Sequence, residues 1–191
     1  MAVLTVGPGA QFTTISDAVA AANTGDTIDV QAGTYTNDFP QLISKSITLQ
    51  GVGGMVNLVA TQDIPNQKGI LDVGASGVAV TIDNFAISGG IVSDGSGGNG
   101  AAIRYEGGNL TLNNDYFFDN QEGLLGAADP SGNITINNTE FADNGNNTPG
   151  SPGYGFTHNL YVGNVATLTI DNSYFTGANV GHEIKIGRAH V

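Results

Sequence analysis

A short phrase recurs along this chain: an apolar residue, Thr, a second apolar residue, one variable residue, then Asn. It stands as Val80-Thr81-Ile82-Asp83-Asn84, Leu110-Thr111-Leu112-Asn113-Asn114, Ile134-Thr135-Ile136-Asn137-Asn138 and Leu168-Thr169-Ile170-Asp171-Asn172. An earlier copy, Ile47-Thr48-Leu49-Gln50-Gly51, lacks the Asn. Self-similarity with a period of roughly 20–50 residues marks a stacked repeat architecture. The alternation of apolar residues with Thr makes the repeated unit a strand.

The second apolar residue of each phrase gives the markers Leu49, Ile82, Leu112, Ile136 and Ile170, spaced by 33, 30, 24 and 34 residues. A basic coil near 24 residues with insertions fits this series. Five residues past the markers stand Ile87, Phe117, Phe141 and Phe175. Stacked coils place them in one internal column, about 4.8 Å apart. Two residues past the markers stand Asn84, Asn114, Asn138 and Asn172, which strand alternation turns inward. The expectation is therefore a buried amide ladder. The Asn-x-Thr triplets inside the phrase need no further explanation as glycosylation sites.

Before the repeats lies one convincing helix. Thr14 is a candidate N-cap with Asp17 three residues on, the capping-box pattern. Ile15, Ala18, Val19 and Ala22 follow at helical spacing, and Gly25 is placed to close the helix. A small amphipathic helix ahead of a strand stack reads as a lid over the exposed first coil.

Charge narrows the partners. Five Lys+Arg against 17 Asp+Glu give a net charge of -12, which repels nucleic acid and anionic membranes. The absence of Cys excludes disulfides and thiolate metal sites. No stretch is long and apolar enough to span a bilayer, and no signal peptide opens the sequence. The last six residues, Ile186 to Val191, match one reading frame of a common sequencing-adapter start (ATC GGA AGA GCA CAC GTC). The expectation is one domain over residues 1–185, cut off at its C-terminus, with a non-native tail over 186–191.

A second, less uniform strand precedes each phrase. Aligned backward from the markers, it reads Ala101 to Tyr105, Glu122 to Gly126, His158 to Val162 and His182 to Lys185. Ile103, Leu124, Leu160 and Ile184 form its inward column. One outward column holds Ala102, Gly123, Asn159 and Glu183, and the next holds Arg104, Leu125, Tyr161 and Lys185. His158 and His182 enter the strand at matching places. The two longest late insertions, residues 93–100 and 145–155, fall just before this strand, so they would rim its face.

The chain resembles the right-handed parallel β-helix proteins of the pectin-lyase-like superfamily. The resemblance rests on Gly-x-Gly-x-x-Phe-x-Thr-Ile-x-x-Ala (Gly7 to Ala18), Gly25-Asp26-Thr27-Ile28, Ala32-Gly33-Thr34-Tyr35 and the Asn phrases. It covers residues 3–185. It implies an all-β right-handed parallel β-helix with a short N-terminal capping α-helix, at work on polysaccharide outside the cell or on its surface. It does not imply one reaction, because the superfamily joins lyases, hydrolases, epimerases and adhesins.

Within that resemblance, the variable strand carries the chemistry. His158 and His182 are candidate bases. Tyr161 is placed to protonate a leaving oxygen, and Arg104 or Lys185 to neutralise a uronate carboxylate. Asn159, Glu183, Lys185 and Tyr105 are the expected substrate contacts. The set describes a polyuronate lyase or epimerase that needs no metal or other cofactor. The alternative is a non-catalytic surface or adhesin module of a larger exported protein. Two stacked His with Glu122 or Glu183 make an incomplete transition-metal set. Asp94 and the loop Asp143-Asn144-Gly145-Asn146-Asn147 offer only loose oxygen ligands for Ca²⁺. Asp115, Asp119, Glu140 and Asp143 lie off the variable strand, which disfavours a paired-acid hydrolase. The expected partner is a polysaccharide, with no nucleic acid or membrane insertion, and the chain is expected to be a monomer.

Overall fold

The structure, a computed structural model, describes residues 1–40, 42–93 and 97–187. In chain order its strands are β1 (Val3–Val6), β2 (Thr27–Thr36), β3 (Ile47–Val59), β4 (Gly69–Val73), β5 (Ala79–Asp83), β6 (Phe85–Ser88), β7 (Ala101–Tyr105) and β8 (Asn109–Asn113). They continue as β9 (Tyr116–Phe118), β10 (Glu122–Gly126), β11 (Asp129–Asn137), β12 (Glu140–Ala142), β13 (Leu160–Val162), β14 (Val165–Asp171), β15 (Tyr174–Thr176) and β16 (Ile184–Ile186). One helix, α1 (Ile15–Ala21), sits between β1 and β2.

All the strand pairs are parallel, and each joins one coil to the next. The coil has three faces. The first runs through β5, β8, β11 and β14, and the second through β6, β9, β12 and β15. The long β3 bends across both and joins them, pairing with β5 by its first half and β6 by its second. The third face is a separate sheet in the order β16-β13-β10-β7-β4. This is a parallel β-helix capped by a helix.

The core is built of like residues stacked along the axis. Ile28, Leu49, Ile82, Leu112, Ile136 and Ile170 pair in register on the first face. Leu58, Ile87, Phe117, Phe141 and Phe175 do so on the second. The Phe rings stack with centroids 4.8 and 4.9 Å apart, close to the strand spacing. Each buried ring stabilises the stack by about 1.5–3 kcal/mol.

Thr14 caps α1 as its spacing predicts, accepting from the Asp17 N–H at 3.1 Å. The helix closes at Ala22 rather than Gly25. Both of its ends are held by the β2–β3 connection. Asp38 accepts from the N–H groups of Ile15 and Ser16, and the Lys45 Nζ donates to the carbonyls of Ala20 and Ala22 at 3.1 and 2.6 Å. An anion at the N-terminus and a cation at the C-terminus both suit the helix dipole.

One expectation is corrected. Asn84, Asn114, Asn138 and Asn172 do line up, but at an outer corner and not inside. Their φ values are +67°, +54°, +47° and +45°. Left-handed backbone is what the tight turn between the first two faces demands, and Asn tolerates it where most residues do not. The buried amide stack exists elsewhere, at the corner between the second and third faces. There the Asn144 Nδ2 donates to Asn159 Oδ1 at 2.7 Å, and the Asn120 Nδ2 donates to Asn144 Oδ1 at 3.0 Å. All three residues are buried.

Candidate functional site

The third face realises the predicted column. Asp72, Arg104, Leu125, Tyr161 and Lys185 are successive partners across β4, β7, β10, β13 and β16. They alternate with the buried Leu71, Ile103, Leu124 and Leu160, so strand alternation turns them outward. The Lys185 Nζ lies 5.5 Å from the centre of the Tyr161 ring, a cation–π contact. Of the entry column, Ala101 and Glu122 pair in register, while His158 and His182 stand just ahead of β13 and β16.

His158 and His182 do approach, with ring centroids 5.1 Å apart. Their environments differ sharply. His182 is exposed, whereas His158 is 1% exposed. Its Nδ1 accepts from the His182 backbone N–H at 3.0 Å. Gly181 makes this crossing feasible, since a Cβ there would lie 2.5 Å from His158 Nδ1 and 1.7 Å from the Thr157 carbonyl. With Nδ1 accepting, the neutral ring carries its proton on Nε2, which is buried without a partner. Burial, helped by Lys185 and His182, pushes its pKa down to about 4. His158 is thus a buried neutral ring, not an open base.

Glu122 is the neighbour whose importance the sequence reading understated. It is 2% exposed, and its Oε2 accepts from the His158 backbone N–H at 2.8 Å. Burial raises its pKa to about 9, against the opposing pull of that hydrogen bond and of Lys185 and Arg104. At neutral pH it is a neutral acid.

Three expected substrate contacts lie elsewhere. Tyr105 is fully buried, and its hydroxyl donates to the Gly108 carbonyl at 2.7 Å. Burial raises its pKa to about 12. Asn159 stands just before β13, where the chain bends at this corner, and its side chain belongs to the buried amide stack. Glu183 caps that stack, accepting from the Asn159 Nδ2 and from the Ala178 N–H. Gly123 shares their column, and a Cβ there would lie 2.8 Å from the Phe141 ring, which confirms that the column points in.

At the other end of the face, Arg104 Nε and Lys68 Nζ both hold Glu106 Oε1, at 3.2 and 2.8 Å. Burial pushes the Glu106 carboxyl up, but these two cations outweigh it and hold it below the usual range. Asp72 was missed by sequence reasoning, although β4 precedes the Val80–Asn84 phrase just as β7 precedes the Leu110–Asn114 phrase, so alignment backward from Ile82 also reaches it. It is 5% exposed, and its Oδ1 has no hydrogen-bond partner. Such an unmatched group costs about 1–3 kcal/mol. Burial raises its pKa, with Glu106 adding to the rise and Lys68 and Arg104 opposing it.

The two insertions meet, as their common place in the coil predicts. The Asn146 Nδ2 donates to the Gly98 carbonyl at 2.8 Å. A Cβ on Gly153 would lie 2.1 Å from the Gly98 oxygen, so only Gly allows the two backbones to pack. Beneath them runs a polar groove of about 410 Å³ that includes Asp119, Asp143 and Asn147. Asp94 lies outside the described residues, as do Arg188 to Val191. Among the described residues, no cluster of three or more His, Asp or Glu is arranged to hold a metal ion.

The fold and this face define a capped parallel β-helix with one sheet set apart by its charged and aromatic outer column. No family model matches the sequence, and no curated protein matches it. A solved structure described as "Rhamnogalacturonan lyase" is similar with a TM-score of 0.68 and 12% sequence identity, over 98% of this chain and 63% of that chain. The likeness is one of fold alone. This chain spans 63% of the length of that lyase.

Proposed function

We propose that this is a secreted β-helix protein that binds an acidic polysaccharide along the outer face of its third sheet. One observation carries the reading. Four of the five Lys and Arg residues lie among the described residues, and three of those four (Lys68, Arg104 and Lys185) stand at this face. The fourth, Lys45, is committed to the helix. In a chain of net charge -12, Lys185, which pairs with no carboxylate among the described residues, offers a uronate carboxylate its natural partner, while Lys68 and Arg104 are taken up by Glu106. Neutral Glu122 keeps a further negative charge off the face. Tyr161 adds an aromatic surface for a sugar ring.

The grouping of Tyr161, Lys185 and exposed His182 favours turnover as a second reading, either β-elimination or epimerisation. Lys185 neutralises the uronate carboxylate and so acidifies C5–H. His182, rather than buried His158, takes that proton. The C5 electron pair forms the C4=C5 double bond as the C4–O bond breaks, and Tyr161 protonates the departing oxygen. Epimerisation returns a proton to the opposite face of C5 instead. His158 acts here by holding the His182 backbone.

Affinity electrophoresis in gels containing polygalacturonate, alginate or a neutral glucan tests the binding. Retardation by an acidic polymer, weakened about tenfold by Lys185→Ala, supports the proposal. Equal mobility in all gels overturns it. Ultraviolet absorbance from unsaturated ends, lost in His182→Ala, separates a lyase from a binding module. NMR of the recovered polymer reads epimerisation.

A further inference from the structure

A groove of about 400 Å³ opens at the N-terminal end of the same face, lined by Phe39, Pro40, Leu42, Pro65, Lys68 and Asp72. Its two kinds of wall are distinct. Phe39, Pro40, Leu42 and Pro65 form an apolar side, with Leu42 46% exposed. Asp72 and Lys68 form the polar side. Asn66 also lines it, but its side chain is spent on the turn, bonding the N–H groups of Lys68 and Gly69 and the Gly69 carbonyl.

Two observations mark this as more than a crevice. Asp72 faces the groove 95% buried with an unmatched carboxyl oxygen, although Arg104 stands directly opposite it in the next coil. Arg104 instead bonds Glu106, so Asp72 is left for another donor. The charges also balance: Lys68 and Arg104 are offset by Glu106 and Asp72. An anionic group gains no net attraction here, unlike at Lys185.

We propose that this groove is a second subsite, which takes a neutral, hydroxyl-rich sugar residue. The C–H face of the ring lies on Phe39 and the prolines. Neighbouring hydroxyls donate to Asp72 and accept from Lys68, whose Nζ keeps donors beyond its bond to Glu106. The inference rests on the reading of this face as a polysaccharide surface and adds a different sugar chemistry at its far end. A polymer that alternates uronic acid and neutral residues would satisfy both ends.

The test uses ¹⁵N-labelled protein titrated with methyl glycosides of neutral hexoses, 6-deoxyhexoses and hexuronates. Neutral glycosides are expected to shift the backbone amides of Lys68, Gly69 and Asp72, and hexuronates those of Tyr161 and Lys185. Asp72→Ala and Phe39→Ala should each weaken the neutral-sugar response about tenfold or more, with the amide signals of Phe117 and Phe141 unmoved as a check of folding. Lys185→Ala should leave it intact. Absence of neutral-sugar shifts near Asp72, or an undiminished response in a folded variant, overturns this subsite. Loss of the hexuronate response alone strikes the binding proposal instead, so the two failures are separable.

Discussion

The first and third sheets are stacked from the same coils, yet they are written differently. The first repeats one phrase, and its outward positions are ladders of like residues. Asn137 Nδ2 donates to Asn113 Oδ1 at 2.9 Å, and Asn133 Nδ2 to Asn109 Oδ1 at 2.8 Å. The third keeps uniformity only inside, at Leu71, Ile103, Leu124 and Leu160. Outside it carries Asp72, Arg104, Leu125, Tyr161 and Lys185, five different side chains in one column. A stacked solenoid is satisfied when each coil matches its neighbour. Outward variation on one sheet therefore marks the positions that stacking leaves free to vary.

Breaking the shared interior should have the largest effect. Phe141→Ala removes the middle ring of the aromatic column and should cost about 3–5 kcal/mol, read from the midpoint of urea unfolding. The buried amide stack comes next. Asn144 donates through Nδ2 to Phe117 O and Asn159 Oδ1, and accepts from Asn120. Asn144→Ala leaves several of these groups unmatched and should cost about 2–3 kcal/mol. If it proves neutral, the corner is not held by amides.

The third sheet differs from the first in its pH response. Glu122 has its folded pKa raised to about 9, from an ordinary value of 4.5. The folded state then binds more protons than the unfolded chain between these values. The stability it contributes is present below about 4.5 and is lost as pH rises towards 9. His158, lowered to about 4, acts in the opposite direction and loses its contribution as pH falls from 6.5. Glu122→Gln should therefore raise Tm more at pH 8 than at pH 5, in thermal scans across that range. An equal shift at both would show that the carboxyl is not held neutral.

The smallest effect belongs to the outer corner of the first sheet. Asn114→Ala leaves at φ +54° a side chain without the polar group that lets Asn tolerate left-handed backbone and should cost about 1 kcal/mol, while Asn114→Gly stays within about 0.5 kcal/mol. If the two variants unfold alike, backbone strain is not the reason for Asn there.

The helix cap, the marker column and the aromatic column were legible because each follows from a local rule applied to numbered spacings. Capping, alternation and stacking act over one turn, one strand or one coil. The place of the asparagines was not. Alternation turns Asn114 inward only if the strand continues, and the chain instead bends there into left-handed backbone. The bend at Asn159 likewise reversed the expected direction of its column. Asp72 stands on β4, ahead of the Val80–Asn84 phrase, so its alignment with Arg104 was within reach of the same backward alignment, but its burial without a partner was not.

By itself, the sequence determined that the coils stack in parallel, that a helix caps them, and that one strand per coil is free to vary. Those features depend on periodic apolar burial, which any register of the whole preserves. Only the tertiary structure decided that His158 is sealed under Gly181, that Glu122 is neutral and that Asp72 lacks a partner. Burial and charge pairing are set by what neighbouring coils and insertions bring over a side chain, and no local pattern encodes that.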